Sequence, residues 1–163
     1  MSDYKIRNVV KSDLDRCFEI EKVSYEGNEA ATREKIRKRI HKYPEGFIVM
    51  ELNGMVVGFI NCGATDNIDL ANEEFKDLIG HDSNGEHVVI FSVVVHRDYQ
   101  GKGLAGMLLT DFIFRIKKMQ KKSVHLICRN NLIDFYKKFG FKYIRKSDST
   151  HGGLVWHEMV LSL

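Results

Sequence analysis

One stretch, residues 87–109, limits the folds open to this chain more than any other. It begins with "HVVIFSVVV" (87–95), apolar at nearly every position, as in a central strand covered on both faces of a sheet. His96 to Gln100 then lead into Gly101-Lys102-Gly103-Leu104-Ala105-Gly106. Beyond it, Leu108, Leu109, Phe112, Ile116 and Met119 recur along one side of a helix expected over 103–120. A buried strand that feeds a helix in this way needs a layered α/β fold. Small residues at 101, 103, 105 and 106 leave the amides bare, so the backbone there must come close to something.

The rest of the chain supplies the other layers. Residues 4–10 read as a strand, and Ser12-Asp13 opens a helix reaching residue 24. A loop (25–31) precedes a charged helix over 32–43, with Ile36 and Ile40 one turn apart, which stops near Pro44. Residues 46–64 form a hairpin around Asn53-Gly54, a pair suited to a turn with positive φ at both central positions. The polar stretch 65–85, with a short helical pattern from Leu70 to Ile79, reads as an insertion able to cover a site. A strand (123–128), a short helix (130–140) and two strands (141–146 and 153–163) complete the chain. The expectation is one α/β domain over 1–163, a mixed twisted sheet with helices on both faces. The apolar last strand is a candidate subunit interface in a monomer-or-homodimer protein.

Composition narrows the function classes. A chain of 163 residues can bury a sizeable core. Its 25 basic and 22 acidic residues give a net charge of +3, too balanced to argue for nucleic acid but no obstacle to a polyanionic cofactor. Cys17, Cys62 and Cys128 lie far apart without metal-ligand spacing, which points to a reduced, cytoplasmic setting and no metal. No stretch approaches the roughly 20 apolar residues of a membrane span, and the charged N-terminus has no signal-type core.

Residues 101–106 formally match GxGxxG, but the context is wrong for a dinucleotide fold. That fingerprint belongs at the first strand of a doubly wound sheet, and Cys128-Arg129 stand where an acidic ribose ligand should follow. A P-loop fails too, because Lys102 is not followed by Ser or Thr. What remains is a helix N-terminus with free N–H groups, which accepts a pyrophosphate of any origin.

Gln100 stands three residues before Gly103, with Ala105 two further on, giving Q-x-x-G-x-A. Downstream, "FYKKFGF" (135–141) puts an aromatic pair on a short helix ended by Gly140. With these two motifs at this separation, and elements in matching order from Ile6 to Leu163, the chain resembles the GNAT acetyltransferase superfamily. Within it the chain looks closest to the serotonin (aralkylamine) N-acetyltransferase branch, through "VVVHRDYQGKGLAGMLL" (93–109) and "VHLICRNNLIDFYKKFGF" (124–141).

The resemblance implies a sheet whose fourth and fifth strands splay apart, with acetyl-CoA as cosubstrate. Val93, Val94 and Val95 would pair with the pantetheine arm. Gln100, Gly101, Lys102, Gly103, Leu104, Ala105 and Gly106 would hold the pyrophosphate, with Arg97 nearby and Tyr136 and Lys138 also on the cofactor. Tyr136 takes the position of the catalytic tyrosine, the general acid for the thiolate, although Leu132, Phe135, Tyr136 and Phe139 share one helix face and could be core. The branch's His-x-His on the fourth strand falls on Val89 and Phe91 here. His87, on the same strand face by alternation, is the candidate displaced base, with water or another residue as alternatives. Tyr25, Glu26 and Phe91 are candidate substrate contacts, and His151 could border the acceptor pocket. The basic runs KIRKR and KKMQKK read as solvated helix faces.

The function expected is direct transfer of acetyl to a primary amine, the acceptor being a small amine or polyamine. Alternatives are a protein N-terminal or lysine acetyltransferase, or a non-catalytic CoA-binding or interaction module in which Val89 and Phe91 mark decayed chemistry.

Overall fold

The computed structural model describes residues 3–25 and 29–163. Seven strands form one sheet: β1 (Tyr4–Asn8), β2 (Phe47–Leu52), β3 (Met55–Thr65), β4 (His87–Val95), β5 (Ser123–Cys128), β6 (Lys142–Lys146) and β7 (His157–Ser162). Their order is β1-β2-β3-β4-β5-β7-β6, with β4 and β5 parallel and every other neighbouring pair antiparallel. Helices α1 (Leu14–Ser24) and α2 (Arg33–Lys42) cover one face, and α3 (Leu104–Lys118) and α4 (Ile133–Lys137) the other. Cys17, Ile20, Ile36 and Ile40 pack on Phe47, Val49, Phe59 and Val94. Leu104, Leu108, Phe112 and Ile116 pack on Ile48, Met50, Ile60 and Ile90.

Local chemistry sets the element ends. The Asp13 carboxylate, just ahead of α1, accepts from the Val10 N–H (2.8 Å) and from both terminal nitrogens of Arg7 (2.8 and 3.0 Å). Thr32 caps α2, its hydroxyl accepting from the Lys35 N–H. The β2–β3 turn takes φ of 52° at Asn53 and 85° at Gly54, the primed hairpin turn that those residues favour.

Two features of β4 shape a cleft beside it. Its parallel pairing with β5 lasts only from His87↔Ser123 to Val89↔His125. From Ile90 to Val95 the strand keeps β3 on one side, and among the described residues no strand pairs with the other. Within that half the register with β3 slips, Asn61 facing Ser92 but Cys62 facing Ile90, so Phe91 is a bulge. Strict alternation therefore breaks, and Phe91 and Ser92 both face α1 and α2.

Several expectations shift. The helical pattern at 70–79 condenses to a 3-10 turn, Glu73–Asp77, stopped by Leu78 at φ 64°. The helix at 130–140 is a 3-10 turn followed by the five-residue α4. The last strand starts only at His157, after a turn at His151–Gly153. It lies between β5 and β6, paired on both sides, so it is no edge of the sheet; the edges are β6 at this end and β1 at the other. Among the described residues no helix is long and apolar enough to cross a membrane.

Candidate active site

A cleft of about 240 Å³ opens where β4 parts from β5. One side is the free edge of β4, residues 90–95, and the other is the end of β5 with Tyr136 of α4. A buried backbone edge without partners is costly, and here the parted strands turn N–H and C=O groups toward the cleft. At the C-terminal end of that edge, the Gln100 side-chain amide donates to the Val95 carbonyl (2.9 Å). Gly101 and Gly103 follow, both at φ 78°, where a side chain is strained. Gly103 is the residue before α3 and offers no side-chain cap. The N–H groups of Leu104, Ala105 and Gly106 thus open a 15-residue helix without intrahelical acceptors.

The three glycines of this loop divide into two kinds. A Cβ added at Gly101 or Gly103 would meet no protein atom within 4 Å, so backbone conformation and open space define them. A Cβ at Gly106 would fall 2.9 Å from the Phe139 ring. Smallness at 106 therefore has a packing cause within the protein and needs no phosphate. Lys102 is exposed with its ammonium 5.5 Å from the centre of the Tyr99 ring, and Lys138 is exposed at the end of α4.

Tyr136 reaches the cleft from α4, its ring edge-on to Phe135 and Phe141. Burial, with Cys128 adding, pushes its phenol well above the usual range, so it remains a proton donor. Burial likewise raises the Cys128 thiol to about 11. His87 is not among the cleft-lining residues. Its ring bonds the Ser123 hydroxyl (2.5 Å) and stands edge-on to His125, whose own pKa burial and His87 lower to about 4. The displaced-base reading of His87 thereby loses its geometric basis. Tyr25 and Phe91 line the cleft as expected, and burial followed by the Glu21 charge raises the Tyr25 phenol. Glu26 lies outside the described residues.

The matches among known proteins agree with this geometry. The model of the Acetyltransferase (GNAT) family covers residues 10–141. The chain belongs to the GNAT acetyltransferase family. It is 30% identical over 149 residues to an uncharacterised N-acetyltransferase of Methanocaldococcus jannaschii, covering 85% of this chain and 61% of that protein. The chain thus spans less than two thirds of that relative's length. A serotonin N-acetyltransferase of Mesocricetus auratus is 26% identical over 163 residues, covering 98% of this chain and 77% of its own. The loading GNATL domain of CurA from Lyngbya majuscula superposes with a TM-score of 0.86 at 20% identity, covering 98% of each chain. The PaiA N-acetyltransferase from Thermoplasma acidophilum, solved in complex with coenzyme A, gives 0.73 at 18% identity over 99% of each. These two likenesses show the GNAT fold.

Apart from His151, the other half of the cleft is built by side chains that the sequence had not singled out. Glu21 of α1 is 1% exposed; its carboxylate accepts from the Ser92 hydroxyl (2.9 Å) and the Ala31 N–H (3.2 Å). Burial raises its pKa, partly offset by Arg39. Arg39 of α2 is 3% exposed, lies 4.5 Å over the Phe91 ring and donates to the Lys76 carbonyl and the Asn61 side chain. Burial lowers it only to about 10, so it stays charged at neutral pH. At the far end His151 sits within 2.9 Å of the Glu73 carboxylate and 2.9 Å of the Glu29 carbonyl, and its own carbonyl accepts from the Trp156 indole. That junction ties the α1–α2 loop, the β3–β4 linker and the β6–β7 loop together. Reading both basic runs as solvated faces holds for Arg37, Lys117, Lys118 and Lys122, which are exposed, and is corrected for three others. Lys35 and Arg39 turn into the cleft, and Lys121 is buried, its ammonium donating to the Ser83 and Gly85 carbonyls. A charge one turn from a buried apolar residue, as in Cys17/Glu21, was the available signal.

Proposed function

We infer that the protein is a cytoplasmic, single-domain enzyme that transfers acetyl from acetyl-CoA to a small primary amine by direct attack in a ternary complex. The observation that carries this is the continuity of the parted edge of β4 with the open N-terminus of α3. Together they make one backbone-lined track leading to a buried phenol. Val93, Val94 and the neighbouring β4 backbone would pair with the pantetheine arm. Gly101, Gly103 and the first-turn amides of α3 would hold the pyrophosphate, with Lys102 beside it. Acetyl-CoA, when bound, supplies the activated acetyl thioester.

The chain's residues then have two proton tasks. The Glu21 carboxylate would accept the proton that the amine must lose, its raised pKa bringing it closer to neutral pH. The Tyr136 hydroxyl would donate a proton to the departing thiolate. A β4 backbone N–H aimed at the thioester carbonyl would stabilise the charge that grows on its oxygen. The size of the cleft, lined at this end by Trp156 and His151, favours a small acceptor over a protein one. The test is thiol release from acetyl-CoA against aromatic ethylamines, polyamines, amino sugars, amino acids and peptides, with calorimetry for acetyl-CoA alone. Turnover with any amine class is expected. Tight acetyl-CoA binding with no turnover would support a non-catalytic CoA-binding module instead, and no binding would refute the track.

A further inference from the structure

Three cations share one wall of the cleft. Lys35 and Arg39 stand one turn apart on α2, and Lys76 comes from the β3–β4 linker. They crowd each other: burial first, then the charges of Arg39 and Lys35, push the Lys76 ammonium down, while Glu73 at 3.4 Å opposes the shift. The hydrogen bonds of Arg39 go to neutral acceptors, the Lys76 carbonyl and the Asn61 amide. Glu21 and Asp77 act on it electrostatically. Among the described residues no carboxylate comes within 4.0 Å of its guanidinium. Cofactor phosphates do not account for this wall. It gathers over Phe91 in the middle of β4, whereas the pyrophosphate seat at Gly101 and Gly103 lies beyond the strand's end.

A buried guanidinium facing a cleft beside two ammonium groups is costly unless an anion completes it. We propose that Lys35, Arg39 and Lys76 form an anion subsite in the acceptor half of the cleft, so that the acceptor is a small primary amine that also carries a carboxylate. The inference rests on the acetyl-transfer reading above and names its substrate class. Guanidinium takes a carboxylate through paired hydrogen bonds, and Arg39 is seated over the Phe91 ring, 4.5 Å from its centre. Glu21, on the neighbouring helix, receives the ammonium end. Opposite charges in one cleft select a zwitterionic amine. A polyamine is rejected, because its second ammonium would meet the cationic wall.

The test compares matched pairs, phenylalanine with phenethylamine and β-alanine with propylamine, together with spermidine. The kcat/KM values are measured at saturating acetyl-CoA, and calorimetric binding on the CoA-saturated protein. The wild type should favour the carboxylate-bearing member by roughly tenfold or more. Lys35→Gln and Lys76→Gln should each shrink that ratio by roughly threefold. Arg39→Gln should shrink it most if thermal melting shows it folded; if it is not, the two lysine variants carry the test. Ratios between variants cancel the intrinsic reactivity of each amine. A wild-type ratio near or below one, a ratio unchanged in both lysine variants, or a preference for spermidine overturns the subsite, as does binding of neither member of a pair. A clear preference in binding without turnover upholds the subsite and refutes acetyl transfer.

Discussion

The two ends of the cleft are built on opposite principles. The proposed cofactor end is backbone: the free edge of β4, two glycines at φ 78° and the first amides of α3. Its glycine loop is exposed while the β4 edge is mostly buried, and the whole comes from one continuous stretch of chain. The proposed acceptor end is side chains: Glu21, Arg39, Lys76, His151 and Trp156, drawn from separate segments and largely buried. A backbone site tolerates most substitutions but depends on conformation. A buried charged site depends on each group, because loss of one partner leaves the others without compensation.

Tyr136, where the two ends meet, gives the sharpest way to break that contrast. Tyr136→Phe should lower kcat by about 10²- to 10⁴-fold with acetyl-CoA affinity nearly unchanged; equal turnover in single-turnover assays would remove its role as acid. Glu21→Gln should lower kcat by about 10²-fold and alter the pH profile as well. A carboxylate whose pKa is raised loses its basic form as pH falls through that raised value. Wild-type kcat should therefore decline on the acid side at a pH above the ordinary carboxylate range, and the variant should lack that limb. An identical limb in both proteins would assign it elsewhere.

The backbone end should respond differently. Gly103→Val places a β-branched residue at φ 78° and should weaken acetyl-CoA binding about tenfold, from a left-handed penalty of about 1–2 kcal/mol. The acceptor preference ratio should not change, and calorimetry with the matched amine pairs measures both. Gly106→Ala is the smallest effect and separates the two kinds of glycine. Its Cβ would press on the Phe139 ring, so denaturant unfolding should show a loss of about 1 kcal/mol, with acetyl-CoA affinity altered less than in Gly103→Val. A reversed order would return Gly106 to phosphate binding.

What could be read without coordinates follows the same division. The buried strand 87–95, the glycine turn and α3 were legible because short-range periodicity and backbone conformation are written in neighbouring residues. So were the hairpin at Asn53-Gly54 and the position of Tyr136 in its motif. The bulge at Phe91 was not legible, since register depends on a partner strand, yet it brings Ser92 round to hold Glu21. Glu21 and Arg39 looked like ordinary charges on amphipathic helices. Their burial follows from which helix face meets the sheet and from the parting of β4 and β5. The sequence by itself determined the element order, the family and a glycine turn that leaves the amides of a helix start bare. Only the tertiary structure decided which charges leave water and face one another across the cleft, because such contacts join residues far apart in the chain and no local pattern encodes them.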